Sequence, residues 1–154
     1  MDQYAQKLTN YLKDNQLTAV HLPLERSCHS VQEAAEAVQA SPEDLVKNIC
    51  MIDHTDRLIV VIVKGEDRAS TTRVAKALDL EKPRLATEVE ILERTGYPAG
   101  GVPSVGFMAT FLVDPRVTEK KYVYTGGGSP NSLTKISVDE LLQTNKGIVV
   151  RVRK

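Results

Sequence analysis

Six consecutive aliphatic residues, Leu58-Ile59-Val60-Val61-Ile62-Val63, constrain the fold of this chain more than any other stretch. All but the first are β-branched and the run has no polar alternation, so it predicts a strand buried on both faces at the centre of a sheet. A strand covered on both faces requires a layer above it and a layer below. At six residues it is far too short to span a bilayer. Upstream, Lys47-Asn48-Ile49-Cys50-Met51-Ile52 reads as a second strand, and His54-Thr55-Asp56 as the turn that joins the two into a hairpin.

Helix signals surround this hairpin. Tyr4, Leu8, Tyr11 and Leu12 form one apolar stripe over residues 3–14. Ser30 with Glu33, Thr87 with Glu90 and Ser137 with Glu140 have capping-box spacing and predict three further helix starts. Ser41-Pro42-Glu43-Asp44 is another start signal, but only one turn follows it. Residues 70–80 place Val74, Ala75 and Leu78 on one side of a helix. Thr18 to Leu22, stopped by Pro23, reads as an edge strand. Residues 107–113, 122–124, 132–136 and 148–152 are further strands. The expected fold is α+β (mixed α/β): a curled mixed sheet or partly open barrel with surrounding helices, with residues 1–154 forming one domain.

The glycine-rich segment Gly96-Tyr97-Pro98-Ala99-Gly100-Gly101-Val102-Pro103-Ser104-Val105-Gly106 cannot continue a helix or a strand, yet it is apolar. So bare a backbone can approach a ligand closely, and its amide N–H groups can form a concave donor site for a carboxylate, carbonyl or phosphate oxygen. Composition alone serves equally well for a tight structural connection. Gly126-Gly127-Gly128-Ser129-Pro130-Asn131 reads as a second, flexible loop.

Lys+Arg and Asp+Glu are equal at 20 each, so no global field draws the chain onto nucleic acid or an anionic membrane. Cys28 and Cys50 lack the close pairing of a zinc site and are too few for a disulfide framework. We therefore expect no metal and no cofactor, and no serine or cysteine nucleophile. The start of the chain carries an amphipathic pattern instead of a basic and then apolar leader, so a cytoplasmic protein is expected.

Four motifs in order, Pro42 to Ile49, Arg57 to Gly65, Thr95 to Gly106 and Tyr124 to Gly128, resemble the YbaK/ProX aminoacyl-tRNA deacylases. These are free-standing relatives of the editing insertion in bacterial prolyl-tRNA synthetases. The resemblance covers about residues 20–150 and implies hydrolysis of the ester of a mischarged tRNA, typically alanine or cysteine on proline tRNA. It implies that Lys47, Gly100, Gly101 and Gly106 are the catalytic set, with water as the attacking group. Leu22, Cys28, Ile49, Met51, Val102, Pro103, Ser104, Phe107, Gly126 and Gly127 are the implied substrate-binding positions. Implied partners are the acceptor end of a tRNA and an aminoacyl-tRNA synthetase, with no membrane, in a monomer or homodimer. The chain departs from the family pattern where Ser104 precedes Val105-Gly106 and the proline stands one place earlier, at Pro103. The serine adds a hydroxyl within reach of substrate. A non-catalytic module that binds the acceptor end is the principal alternative, and an unrelated small-molecule hydrolase is a weaker one, since no phosphate-loop or dinucleotide pattern supports it.

Overall fold

The computed structural model describes residues 2–25 and 30–154. The central hairpin is formed by β2 (Val46–Ile52) and β3 (Leu58–Lys64), antiparallel and paired at all seven positions from Val46↔Lys64 to Ile52↔Leu58. Its turn is closed by Asp53, whose Oδ1 accepts from the Arg57 N–H at 2.9 Å, the Thr55 N–H at 2.9 Å and the Thr55 hydroxyl at 2.7 Å. Those donors, the Arg57 N–H foremost, hold the carboxyl well below the usual carboxylate range.

Every residue of β3 is buried, and its two faces serve different layers. Leu58, Val60 and Ile62 join a core with Leu8 and Leu12 of α1 (Gln3–Asp14) and Leu141 of α5 (Val138–Asn145). Ile59, Val61 and Val63 join a second core with Val74 of α3 (Thr71–Leu78) and with Val152. The unalternating run is thus explained: both faces are apolar because both are covered.

A five-stranded mixed sheet is completed by β4 (Arg84–Leu85), β5 (Thr110–Val113) and β8 (Ile148–Val149), in the order β4-β2-β3-β5-β8. A separate three-stranded antiparallel sheet holds β1 (Val20–Pro23), β6 (Tyr122–Gly126) and β7 (Ser132–Ser137), in the order β1-β7-β6. The expected α+β class is observed, but the sheet is divided in two and does not close into a barrel. A parallel bridge, Leu45↔Tyr124, joins the residue before β2 to β6 of the small sheet.

Local signals set most boundaries. Thr87 and Glu90 form a reciprocal capping box at α4 (Glu88–Thr95), which ends at Gly96. Ser30 caps α2 (Val31–Ala37), and Ser41 with Asp44 caps a single 3-10 turn over Pro42–Asp44. Ser137 caps α5, but the Glu140 carboxylate turns away to accept from Thr18 and Ala19 across the chain. Two strands are shorter than the sequence predicts. Residues 107–109 precede β5 as loop, leaving Met108 93% exposed. Beyond Val149 the chain leaves β8, and Asp114 captures it by accepting from the Val152 and Arg153 N–H groups.

Candidate functional site

A cavity of about 390 Å³ opens beside the N-terminal half of β2. Lys47, Asn48 and Ile49 form one wall, Ala99, Gly100 and Val102 a second, and Thr125, Gly126, Ser132 and Leu133 a third. Val31 and Ala34 of α2 and Ile91 of α4 complete the enclosure. Pairing explains its position. On the side away from β3, β2 is covered by β4 only at Met51 and Ile52, so residues 46–49 present an edge that no strand of that sheet occupies.

The third wall stands where two glycine segments meet. A Cβ at Gly101 would lie 2.7 Å from the Gly128 carbonyl carbon and from the Ser129 nitrogen, and one at Gly126 would collide with the Val102 carbonyl. Only glycine permits the two backbones this close approach. The Gly128 N–H donates to the Gly101 carbonyl at 2.7 Å, and the Gly101 N–H donates to the Pro98 carbonyl at 3.0 Å. Where the sequence suggests a flexible loop, the 127–129 part of this segment is packed: Gly127, Gly128 and Ser129 are buried, and the Ser129 hydroxyl meets Asn131 and Ser132, while Pro130 and Asn131 are exposed.

A polar cluster runs from the wall inward. The Asn48 side-chain N–H₂ donates to the Val102 carbonyl at 2.9 Å and to the Thr125 hydroxyl at 2.8 Å. The Ser104 hydroxyl donates to Asn48 Oδ1 at 2.7 Å and lies 2.7 Å from the Thr125 hydroxyl. Asn145 adds a bond from its side chain to the Ser104 carbonyl at 3.0 Å. One side chain of β2 thereby ties together the glycine loop and the second sheet. Its signal in the sequence is an asparagine inside an otherwise strand-like run, where asparagine is depleted. Neither Asn48 nor Thr125 is among the site residues that the sequence suggests.

The sequence-derived candidates separate into two groups. Lys47, Ile49, Gly100, Val102 and Gly126 lie in the cavity wall. Lys47 is half-buried, and its ammonium makes no hydrogen bond or ion pair among the described residues. Burial, reinforced by Arg68, lowers its pKa below the usual lysine range, while Asp67 works in the opposite direction. Gly101 and Gly127 stand directly behind the wall as packing positions. The others face elsewhere. Met51 is fully buried in the second core, under β4. Ser104 is 0% exposed, so its hydroxyl is spent on Asn48 and Thr125 instead of reaching a ligand. A side chain at Gly106 would meet Tyr11, Tyr97 and Leu8, on the α1 side of the molecule. Phe107 packs against Phe111, with ring centroids 5.4 Å apart. Pro103 is buried, and Leu22 lies opposite Leu133 in the small sheet, two residues before the Leu24 that lines the cavity. Cys28 lies outside the described residues. No cluster of three metal-ligating side chains occurs among the described residues. No helix among them is long and apolar enough to cross a membrane.

Comparison with known proteins bears on this geometry. The family model for the aminoacyl-tRNA editing domain matches residues 25–144. The proline–tRNA ligase of Limosilactobacillus reuteri (strain DSM 20016) is 30% identical over 99 residues, which is 59% of this chain and 17% of the ligase. The chain thus matches under a fifth of that enzyme's length. The uncharacterized protein YwhH of Bacillus subtilis (strain 168) is 26% identical over 135 residues, covering 86% of this chain and 83% of YwhH. A crystal structure of a protein proposed as a trans-editing enzyme for prolyl tRNA synthetase superposes with a TM-score of 0.88 at 25% identity, covering 100% of this chain and 99% of the other.

Proposed function

The chain belongs to the aminoacyl-tRNA editing domain family, and from that membership we propose that it hydrolyses, in trans, the ester of a tRNA carrying a small wrong amino acid. Alanine or cysteine on proline tRNA is the proposed substrate, in keeping with the proline–tRNA ligase and trans-editing relatives. The observation that carries this reading is the cavity at the open edge of β2, with a half-buried ammonium in its wall that has no ion-pair partner among the described residues.

Water attacks the ester carbonyl, the bond from that carbon to the ribose oxygen breaks, and the ribose oxygen leaves with a proton. Lys47 supplies a cation for the oxygen charge that develops, or for the phosphate of the terminal adenosine; such a charge acts strongly where water is excluded. Gly100, in the wall where an added Cβ would meet nothing within 4 Å, lets the ester approach the backbone. Gly101 contributes differently from an oxyanion donor, because its N–H is already given to Pro98. Asn48 and Thr125 stand in these walls themselves, and Ser104 braces both from behind. Among the described residues, the cavity wall holds no carboxylate or imidazole. The terminal ribose hydroxyl of the tRNA is therefore the proposed orienting group for the water.

That same wall chemistry favours a second reading, a module that binds the acceptor end without turnover. Selection on either reading is by size, and a small apolar pocket resolves one methylene by only about 1–3 kcal/mol. Proline tRNA charged in turn with alanine, cysteine, serine and proline separates the readings. The proposal expects hydrolysis of a small species with proline spared, and loss of that hydrolysis in Lys47→Ala. Binding without turnover on every species would leave the module.

A further inference from the structure

The two strands that wall the cavity continue beyond it, and there they carry a cluster of aromatic and basic side chains. Tyr124 and Lys135 are direct partners in the β6–β7 pairing, and Tyr122 lies opposite Ser137 two residues further on. Lys135 Nζ sits 5.2 Å from the Tyr122 ring centroid and 5.9 Å from that of Tyr124, so all three side chains share one face of the small sheet, on which Tyr124 also packs against the cluster of Ala34, Ala35 and Leu45. Lys121 Nζ stands 5.7 Å from the Tyr122 ring. The inner face of the same strands is apolar or satisfied: Val123, Thr125, Thr134 and Ile136 are buried.

Neither lysine has a carboxylate partner among the described residues. The nearby acids Glu43 and Asp44 are taken by Lys120, at 2.8 and 3.1 Å. The rings thus hold the ammonium groups in place while leaving their charge uncompensated, which is how a cation is preorganised for an anion. Distance along the strands connects the cluster with the site. Lys135 is two residues, or about 7 Å, from Leu133 in the cavity wall, and Tyr122 is four residues, or about 13 Å, from Gly126. With an overall charge of zero, nucleic acid must be met by a local patch of this kind.

We propose that Lys121 and Lys135, supported on Tyr122 and Tyr124, bind the phosphate backbone of the tRNA acceptor strand whose 3′ end enters the cavity. The proposal rests on the editing reading above. In it the tyrosines act as supports, so the ring matters and the hydroxyl does not.

The test is binding of uncharged proline tRNA, followed by fluorescence anisotropy over a salt series, for the parent, the Lys121→Ala/Lys135→Ala double variant, Tyr122→Phe and Tyr122→Ala. The double variant should bind about tenfold more weakly and lose about two units of salt slope. Tyr122→Phe should match the parent, and Tyr122→Ala should fall between them. Hydrolysis of alanyl-adenosine, which reaches only the cavity, should be unchanged in the double variant. Parent-like affinity and slope in the double variant would overturn the proposal while leaving the editing reading standing. A parent that hydrolyses alanyl-adenosine but binds no tRNA would likewise overturn the surface alone, and one that does neither would overturn both.

Discussion

The two halves of β2 are neighbours in one strand, yet they live in different surroundings. Cys50, Met51 and Ile52 are all buried, whereas Lys47, Asn48 and Ile49 are only partly so. Both halves pair with β3 in the same register, so β3 is not the cause. The difference lies on the other side, where β4 pairs with Met51 and Ile52 and stops. β4 is clipped to α4 by the two-pronged bond from Arg84 to Glu90, at 2.8 and 2.7 Å. Where the covering strand ends, the glycine loop and β6 approach without closing the gap, and the cavity is the space left over. The site is the place where a sheet stops being covered, which is where backbone and side chains remain available to a ligand.

Substitutions that exchange the character of the two halves should break this contrast. The largest effect on stability belongs to the sealed half: Met51→Ala should cost about 2–5 kcal/mol in denaturant unfolding, through lost burial and the void left behind. Asn48→Ala comes next, at about 1–3 kcal/mol, because it strands the Val102 carbonyl and the hydroxyls of Ser104 and Thr125. It should also loosen the wall, so ligand affinity falls together with stability. Lys47→Ala should leave stability within about 0.5 kcal/mol while deacylation drops about a hundredfold, the reverse of the Met51 result.

The pH dependence is a subtler check. Burial lowers the pKa of Lys47, so between that lowered value and the usual lysine value the unfolded chain binds more protons than the folded one. The Lys47 contribution to stability therefore rises with pH across that window. Lys47-dependent hydrolysis, measured above the uncatalysed rate, should decline with rising pH before an exposed lysine would titrate, and the decline should vanish in Lys47→Ala.

Much of the sealed half was legible in the sequence, because its signals are local. The aliphatic run 58–63, the Thr87–Glu90 box and the turn at His54-Thr55-Asp56 each need only a few neighbouring residues to act. The site was legible only in part. Of the residues named from the motif resemblance, Lys47, Ile49, Gly100, Val102 and Gly126 line the cavity. Met51, in the same implied set, follows Ile49 by two positions in β2, but it lies under β4 in the second core. β4 itself is two exposed residues, Arg84 and Leu85, with no periodicity to announce it. Ser104 looked available because a loop serine usually is; its burial depends on Asn48, which is 56 positions away. The triple glycine read as flexible for the same reason, since its partner at Gly101 belongs to another loop. The division into two sheets also rests on pairings between distant segments, which no window of sequence contains.

The claim that β2 is divided between a binding half and a sealed half is tested most directly by backbone amide NMR during titration with a non-hydrolysable 3′-alanylamino adenosine. The account predicts shift changes at Lys47, Asn48 and Ile49, accompanied by Gly100, Val102 and Gly126, with Met51 and Ile52 unmoved. Saturable changes centred on Met51, Ile52 and Leu85, with residues 47–49 silent, would contradict it.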